Sequence, residues 1–185
     1  AREVGGITQH IGASFFPAKT LRELTGPLLK QLKSRISIPG LLVIDTPGHE
    51  AFVNLRKRGG AAADIAILVV DVLRGFEAQT FECVDILKSR KTPFLVAVNK
   101  VDRLPGWVSK PLEPFLKSYG GQDSYVRQDF AEHFYGIIGS FSQLGLRADR
   151  FDKIADFTKT VALVPTSAKT GEGIPELLAV LIGLA

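Results

Sequence analysis

Four short apolar runs, each closed by polar residues, constrain this chain more than any other feature. Leu41-Leu42-Val43-Ile44 ends at Asp45, Ile65-Ala66-Ile67-Leu68-Val69-Val70 at Asp71, Pro93-Phe94-Leu95-Val96-Ala97-Val98 at Asn99, and Val161-Ala162-Leu163-Val164 just before Thr166. Short apolar runs rich in β-branched residues and bounded by turn formers read as strands buried on both faces. Helical patterns separate them, over residues 50 to 62, over 79 to 90, and from Ile174 onwards. That alternation predicts an α/β fold, a mostly parallel sheet flanked by helices with right-handed crossovers. In such a sheet ligands lie along the carboxyl ends of the strands, so the polar residues that close the runs are the first candidates for a site.

The 185 residues, 45% apolar and 23% charged, are enough for one compact domain with a sizeable core. A single cysteine, Cys83, excludes an internal disulfide and fits a reducing, cytoplasmic setting, and its neighbours Phe81 and Val84 suggest helix packing for it. No apolar run approaches the roughly 18 to 20 residues that span a bilayer, and the start lacks a signal-peptide layout. No membrane partner is expected. A net charge of +4 permits contact with a polyanion without requiring one. The chain opens on Ala1-Arg2-Glu3 and holds no Met, which reads as a piece of something longer; the scarcity of Asn, only Asn54 and Asn99, points to a thermophile.

In chain order, residues 1 to 14 carry Gly5, Gly6 and Gly12 with little periodicity and read as a loop. Ser14 to Ala18 reads as a short strand. From Lys19 to Arg35 the residues Leu21, Leu24, Leu28, Leu29 and Leu32 recur at helical spacing, with a break expected near Gly26-Pro27. The basic face of that helix is either solvated or an RNA-binding surface. Residues 106 to 156 interrupt the alternation: after a loop rich in Pro and Gly, the residues Phe130, Phe134, Ile137, Ile138, Phe141 and Leu144 form one helical stripe. A helical insertion packed on the domain is expected, with a partner-docking helix as the alternative.

Three strand ends carry chemistry. Asp45 closes its strand into Thr46-Pro47-Gly48, and an Asp there can hold magnesium through its water shell. Gly48 brings a backbone N–H close to an anion such as a terminal phosphate, and the His49 imidazole suits the positioning of an attacking water. Asn99-Lys100-Val101-Asp102 closes another strand. The Asp102 carboxylate can accept two hydrogen bonds, and guanine presents a matching pair of donors that adenine lacks; an unpaired buried acceptor would reject adenine by roughly 10⁴. Asn99 suits the O6/N7 side of the base, and the Lys100 stem can lie over the ring. Ser167-Ala168-Lys169 follows the last strand, its small residues allowing the Ala168 N–H to approach guanine O6. Each motif alone is weak, because strand-ending Asp residues and Pro-Gly turns are common. Their order, Asp-x-x-Gly, Asn-Lys-x-Asp and Ser-Ala-Lys, makes them specific together.

With these motifs the chain resembles the P-loop GTPases, and among them the translational GTPases. The stretches at residues 5 to 14, 39 to 50 and 90 to 104 make it similar to the G domain of the archaeal and eukaryotic initiation factor five-B family, relatives of bacterial initiation factor two. The resemblance covers most of 1 to 104 and 160 to 185, and it implies GTP or GDP with Mg²⁺ as cofactors. It implies that Thr8 and Asp45 hold the magnesium, and that Ile7 belongs to an apolar gate around the catalytic His49. It further implies that Gly48 senses the γ-phosphate and that Asn99, Lys100, Asp102, Ser167, Ala168 and Lys169 hold the base. The implied activity is GTP hydrolysis stimulated by the ribosome, through its large-subunit RNA, in a factor that promotes subunit joining. Loss of the γ-phosphate contacts would then release both switch loops.

No Gly-x-x-x-x-Gly-Lys-[Ser/Thr] occurs in the 185 residues. The resemblance places that phosphate loop and a central first strand ahead of Ala1, between the strands at 41 to 45 and 65 to 70. The expectation is therefore that an N-terminal phosphate-loop segment and the remaining domains of the same factor are partners of this one. The isolated chain is expected neither to bind GTP tightly nor to fold well, because many unmade hydrogen bonds at about 1 to 3 kcal/mol each exceed a net stability of about 5 to 15 kcal/mol. Two other readings stand beside this one: another translational or ribosome-assembly GTPase, and a non-hydrolysing module that presents its basic helices to RNA.

Overall fold

The computed structural model describes residues 12–31, 38–45 and 64–185. Its centre is a four-stranded parallel sheet, in the order β3 (Ala66–Asp71), β4 (Phe94–Asn99), β6 (Val161–Pro165), β5 (Ala148–Arg150). The helices are α1 (Ala18–Gln31), α2 (Ala78–Arg90), α3 (Phe115–Gly120), α4 (Ser124–Gln143) and α5 (Ile174–Leu184). A separate two-stranded antiparallel sheet pairs β1 (Gly12–Pro17) with β2 (Gly40–Asp45).

The central strand β4 shows why its apolar run is unbroken. Side chains alternate across a strand, so Val96 and Val98 join one core with Val70, Val84, Phe130 and Phe141, while Leu95 and Ala97 join another with Val164, Leu177 and Leu181. Both faces of the strand are covered, and Leu95, Val96 and Val98 have no exposed surface. The second core includes α5, and Leu21 of α1 packs on Ala179 and Ile182 of that helix.

The stripe expected within residues 106 to 156 is part of the first core. Val126, Phe130, Phe134, Ile137 and Phe141 form the buried side of α4, and Phe130 meets Phe115 at 5.4 Å and Phe134 at 5.2 Å between ring centres. The aromatic face therefore packs within the chain.

Several expectations change. The run at 41 to 44 is not a parallel strand buried on both faces: β2 runs antiparallel to β1, and Leu42 is 62% exposed. In β3 Val69 is 61% exposed, so that strand too is covered incompletely. No ladder joins β2 to β3 among the described residues, which leaves one edge of each without a strand neighbour. β1 begins at Gly12, where a loop was expected, and is exposed along its length. Helix α1 continues through residues 26 and 27, where a break was expected, and β5 is a strand inside the insertion that periodicity did not reveal. The helix expected over 50 to 62 lies outside the described residues.

Candidate functional site

Register places the site. Asp71 of β3 is level with Asn99 of β4, and Val98 is level with Pro165 of β6, so three strands end together. Main-chain bonds hold the loops that follow: Val72 N–H donates to Asn99 O at 2.9 Å, and Val101 N–H donates to Thr166 O at 3.2 Å.

The turn after β4 is fixed by its neighbours. Lys100 takes a left-handed conformation, φ 70°, and swings the chain into a single 3₁₀ turn, Val101–Arg103. Val101 and Leu104 are buried anchors on either side of Asp102, which stays half-buried at the rim. Ser167, itself fully buried, donates its hydroxyl to Asp102 Oδ1 at 2.6 Å and accepts the Thr170 N–H at 3.1 Å. These bonds hold Asp102 against the loop after β6, and a carboxylate with one bond made retains further acceptor capacity.

Asn99 makes the second link. Its Oδ1 accepts the N–H of Ala168 at 2.9 Å. That N–H was expected to approach guanine O6; here its hydrogen points at Asn99. The link also sets the amide: with its oxygen occupied, Asn99 presents its NH₂ group as the available donor.

Lys100 makes the third. Its Nζ donates to Asp71 Oδ2 at 2.8 Å, while Asp71 Oδ1 accepts the Leu73 N–H at 2.9 Å. Burial alone would raise the Asp71 carboxyl, but the hydrogen bonds from Lys100 and Leu73, with the charge of Lys100, outweigh it and hold the group below its ordinary value. Asp71 was visible in the sequence as a strand-ending Asp, yet nothing in spacing assigned it to Lys100.

Asn99, Lys100, Asp102, Ser167 and Ala168 thus come together on one rim, with the exposed Lys169 beside them. Asp45 closes β2 opposite Gly12, in the other sheet. Ile7, Thr8, Gly48 and His49 lie outside the described residues. Among the described residues no group of three or more His, Cys, Asp or Glu side chains converges as a metal site, and Asp45 alone represents the expected magnesium pair.

The chain whose parallel sheet ends in this Asn-Lys-x-Asp turn braced by Ser-Ala-Lys matches a known family model over residues 2–185, described as the elongation factor Tu GTP binding domain. The chain belongs to that family. The GTP-binding domain is 60% identical over 185 residues to a protein of Methanopyrus kandleri described as probable translation initiation factor IF-2, covering 100% of this chain and 31% of that protein. A protein of Thermofilum pendens with the same description is 60% identical over 184 residues, with the same shares covered. The fold of the domain matches the crystal structure of GDP-bound aIF5B from Aeropyrum pernix with a TM-score of 0.88 at 54% identity, over 100% of this chain and 31% of that one. The domain therefore spans about a third of the length of these relatives, and it is the GTPase type of domain that the motifs implied.

Proposed function

We propose that this domain binds guanine nucleotide through the rim at Asn99, Lys100, Asp102, Ser167, Ala168 and Lys169, and hydrolyses GTP within a translation initiation factor that promotes ribosomal subunit joining. The observation that carries the reading is the Ser167-to-Asp102 hydrogen bond beside the Asn99-to-Ala168 link. It fixes an acidic acceptor next to an amide donor, the complement of the guanine edge. Asp102 takes N1–H and the 2-amino group, and the Asn99 NH₂ faces the O6/N7 side. Guanine O6 reaches the Ala168 N–H only by sharing it with, or taking it from, Asn99. The stem of Lys100, steadied by Asp71, covers one face of the ring.

The phosphate half of the site is assigned to Asp45 and to residues outside the described part. Thr8 and Asp45 hold Mg²⁺, Gly48 contacts the γ-phosphate, and His49, with Ile7 beside it, orients the attacking water. Magnesium held by these residues would supply charge neutralisation at the phosphates, leaving the side chains to position the reactants. The Lys-bearing phosphate loop and its strand come from a segment outside the 185 residues, set between β2 and β3. The exposed Leu42 and Val69, on strands that share no ladder, support that placement. The large-subunit RNA of the ribosome and the other domains of the factor are the proposed partners, in the cytoplasm.

GTP turnover by the complete protein with and without ribosomes, compared with its His49→Ala variant, tests this reading. Ribosome-stimulated turnover that falls at least about 100-fold in the variant is expected. Equal turnover removes His49 from the mechanism, and equal affinity for GDP and ADP removes the guanine site.

A further inference from the structure

Among the described residues, Glu172 is the most deeply enclosed charged-type side chain outside the rim, with no exposed surface at all. Its surroundings are all donors. Oε1 accepts the Trp107 indole N–H at 3.2 Å, the Lys110 backbone N–H at 3.1 Å and the Ser118 hydroxyl at 2.5 Å, while Oε2 accepts the Thr170 hydroxyl at 2.6 Å. Three of these donors belong to the insertion and one to the loop after β6.

No cation faces the group among the described bonds; neutral donors surround it. Such an enclosure is costly to build unless every acceptor is satisfied, and a hydrophobic residue would fill the space at less cost. What the carboxylate provides is a common acceptor for two segments far apart in sequence. Its own backbone O accepts the Ser167 N–H at 2.9 Å, and Ser167 in turn donates to Asp102. Two main-chain bonds run parallel to this chain, Leu112 N–H to Thr170 O at 2.9 Å and Gly173 N–H to Glu113 O at 3.2 Å.

We infer that Glu172 is a positioning residue for base recognition, through which Trp107, Lys110 and Ser118 of the insertion fix the Ser167 loop and so aim Asp102. This rests on the guanine-binding reading and assigns residues 107 to 118 a part in it. The inference separates the sites that touch the base from the site that sets their geometry. Glu172 lies behind the rim and contacts Asp102 only by way of Ser167.

The Glu172→Gln variant keeps the shape but replaces the shared anionic acceptor with one amide oxygen. Trp107→Phe removes a single donor and keeps an aromatic ring, so it serves if the first variant folds poorly. Both are made in the complete protein, and affinity is measured for GDP, inosine diphosphate and ADP. Inosine lacks the 2-amino group that Asp102 would hold, so the ratio of GDP to inosine diphosphate affinity reports how well that carboxylate is aimed. Glu172→Gln is expected to speed GDP release about tenfold and to shrink the ratio by threefold or more; Trp107→Phe is expected to shrink it by about twofold. A general loss of folded protein would weaken both nucleotides alike and leave the ratio unmoved. An unmoved ratio in whichever variants retain the wild-type circular dichroism spectrum overturns the inference while the guanine site stands. A wild-type protein that holds GDP and ADP equally overturns the guanine reading and this inference with it.

Discussion

Asn99 Oδ1 accepts the backbone N–H of Ala168 at 2.9 Å, tying the end of β4 to the loop after β6 across 69 residues of sequence. The bond does two things at once. It closes the rim before any ligand arrives, and it turns the amide so that its NH₂ is the group left to bind. Removing the side chain loses both. Asn99→Ala in the complete protein is expected to weaken GDP binding by about 10- to 100-fold, read from the release of a fluorescent GDP analogue. A change under twofold would contradict the role given to this link.

Asp102 allows a sharper test, since its identity is matched to a donor pair on the base. Asp102→Asn puts a donor where guanine also has one, so an unpaired polar contact results. GDP affinity should fall about 100-fold, whereas xanthosine diphosphate, with an oxygen in place of the 2-amino group, should bind better than to wild type. Competition binding with both nucleotides checks the prediction, and parallel losses for the two would refute it.

The Asp71–Lys100 pair is partly open to solvent, with side-chain exposures of 12% and 45%, so its contribution is screened and small. Its value lies in holding Lys100 over the rim. Asp71→Asn is expected to cost about threefold in GDP affinity, with the loss diminishing as salt is raised. The sign of its pH dependence follows from the depressed carboxyl. The pairing persists at neutral pH and is lost only as the pH falls through a value below the ordinary 3.8. Wild-type affinity, measured by the same binding assay, should therefore show no step from this pair between about pH 5 and 8.

Phe130 tests whether the insertion is structural. The ring is 2% exposed and sits among Phe115, Phe134, Tyr119 and Trp107, in the same core as Val96 and Val98 of the central strand. Phe130→Ala should destabilise the domain by about 3 to 5 kcal/mol through lost transfer energy and an unfilled cavity. Hydrogen exchange at the amides of β4 is the measurement; exchange unchanged from wild type would mean that α4 opens independently of the sheet.

Much of this was legible in the sequence because strand ends carry two signals together. Asn99 to Asp102 and Ser167 to Lys169 follow apolar runs whose registers coincide, so residue type and position agreed. The exposure of Leu42 and Val69 was not legible, since an apolar run announces burial without saying what buries it. Nor was the Ala168-to-Asn99 bond, where two groups each suited to a base satisfy one another. Glu172 carried no signal in the sequence, because its partners Trp107, Lys110 and Ser118 are 54 to 65 residues away. Helix α1 passes through residues 26 and 27 despite the Pro there, a case of packing on α5 outweighing local propensity.

Glu176, in the first turn of α5, differs from Glu172 in being incompletely satisfied. Its Oε1 accepts a long bond from the Leu116 N–H at 3.4 Å, and Oε2 is buried without a partner among the described residues. Burial is the largest influence on it and raises the carboxyl above its ordinary 4.5, against the lowering effect of nearby backbone N–H groups. A raised carboxyl binds its proton more tightly when folded, so the favourable contribution is fully present below the unfolded value and is lost as the pH rises through the folded one. The charged form of Glu176 is therefore one whose burial is only partly compensated. Glu176→Gln removes that charge, keeps an oxygen for Leu116 and leaves one unpaired amide, a cost of about 1 to 3 kcal/mol that is smaller than that of an unpaired buried charge. The variant should melt higher than wild type at pH 7, and the difference should shrink or reverse near pH 4.5, where the raised carboxyl favours its protonated form. Melting curves of the complete protein at both pH values decide it: a difference that stays constant would show that Glu176 does not titrate with folding, and a variant less stable at pH 7 would show that the charge is better solvated than its buried Oε2 implies.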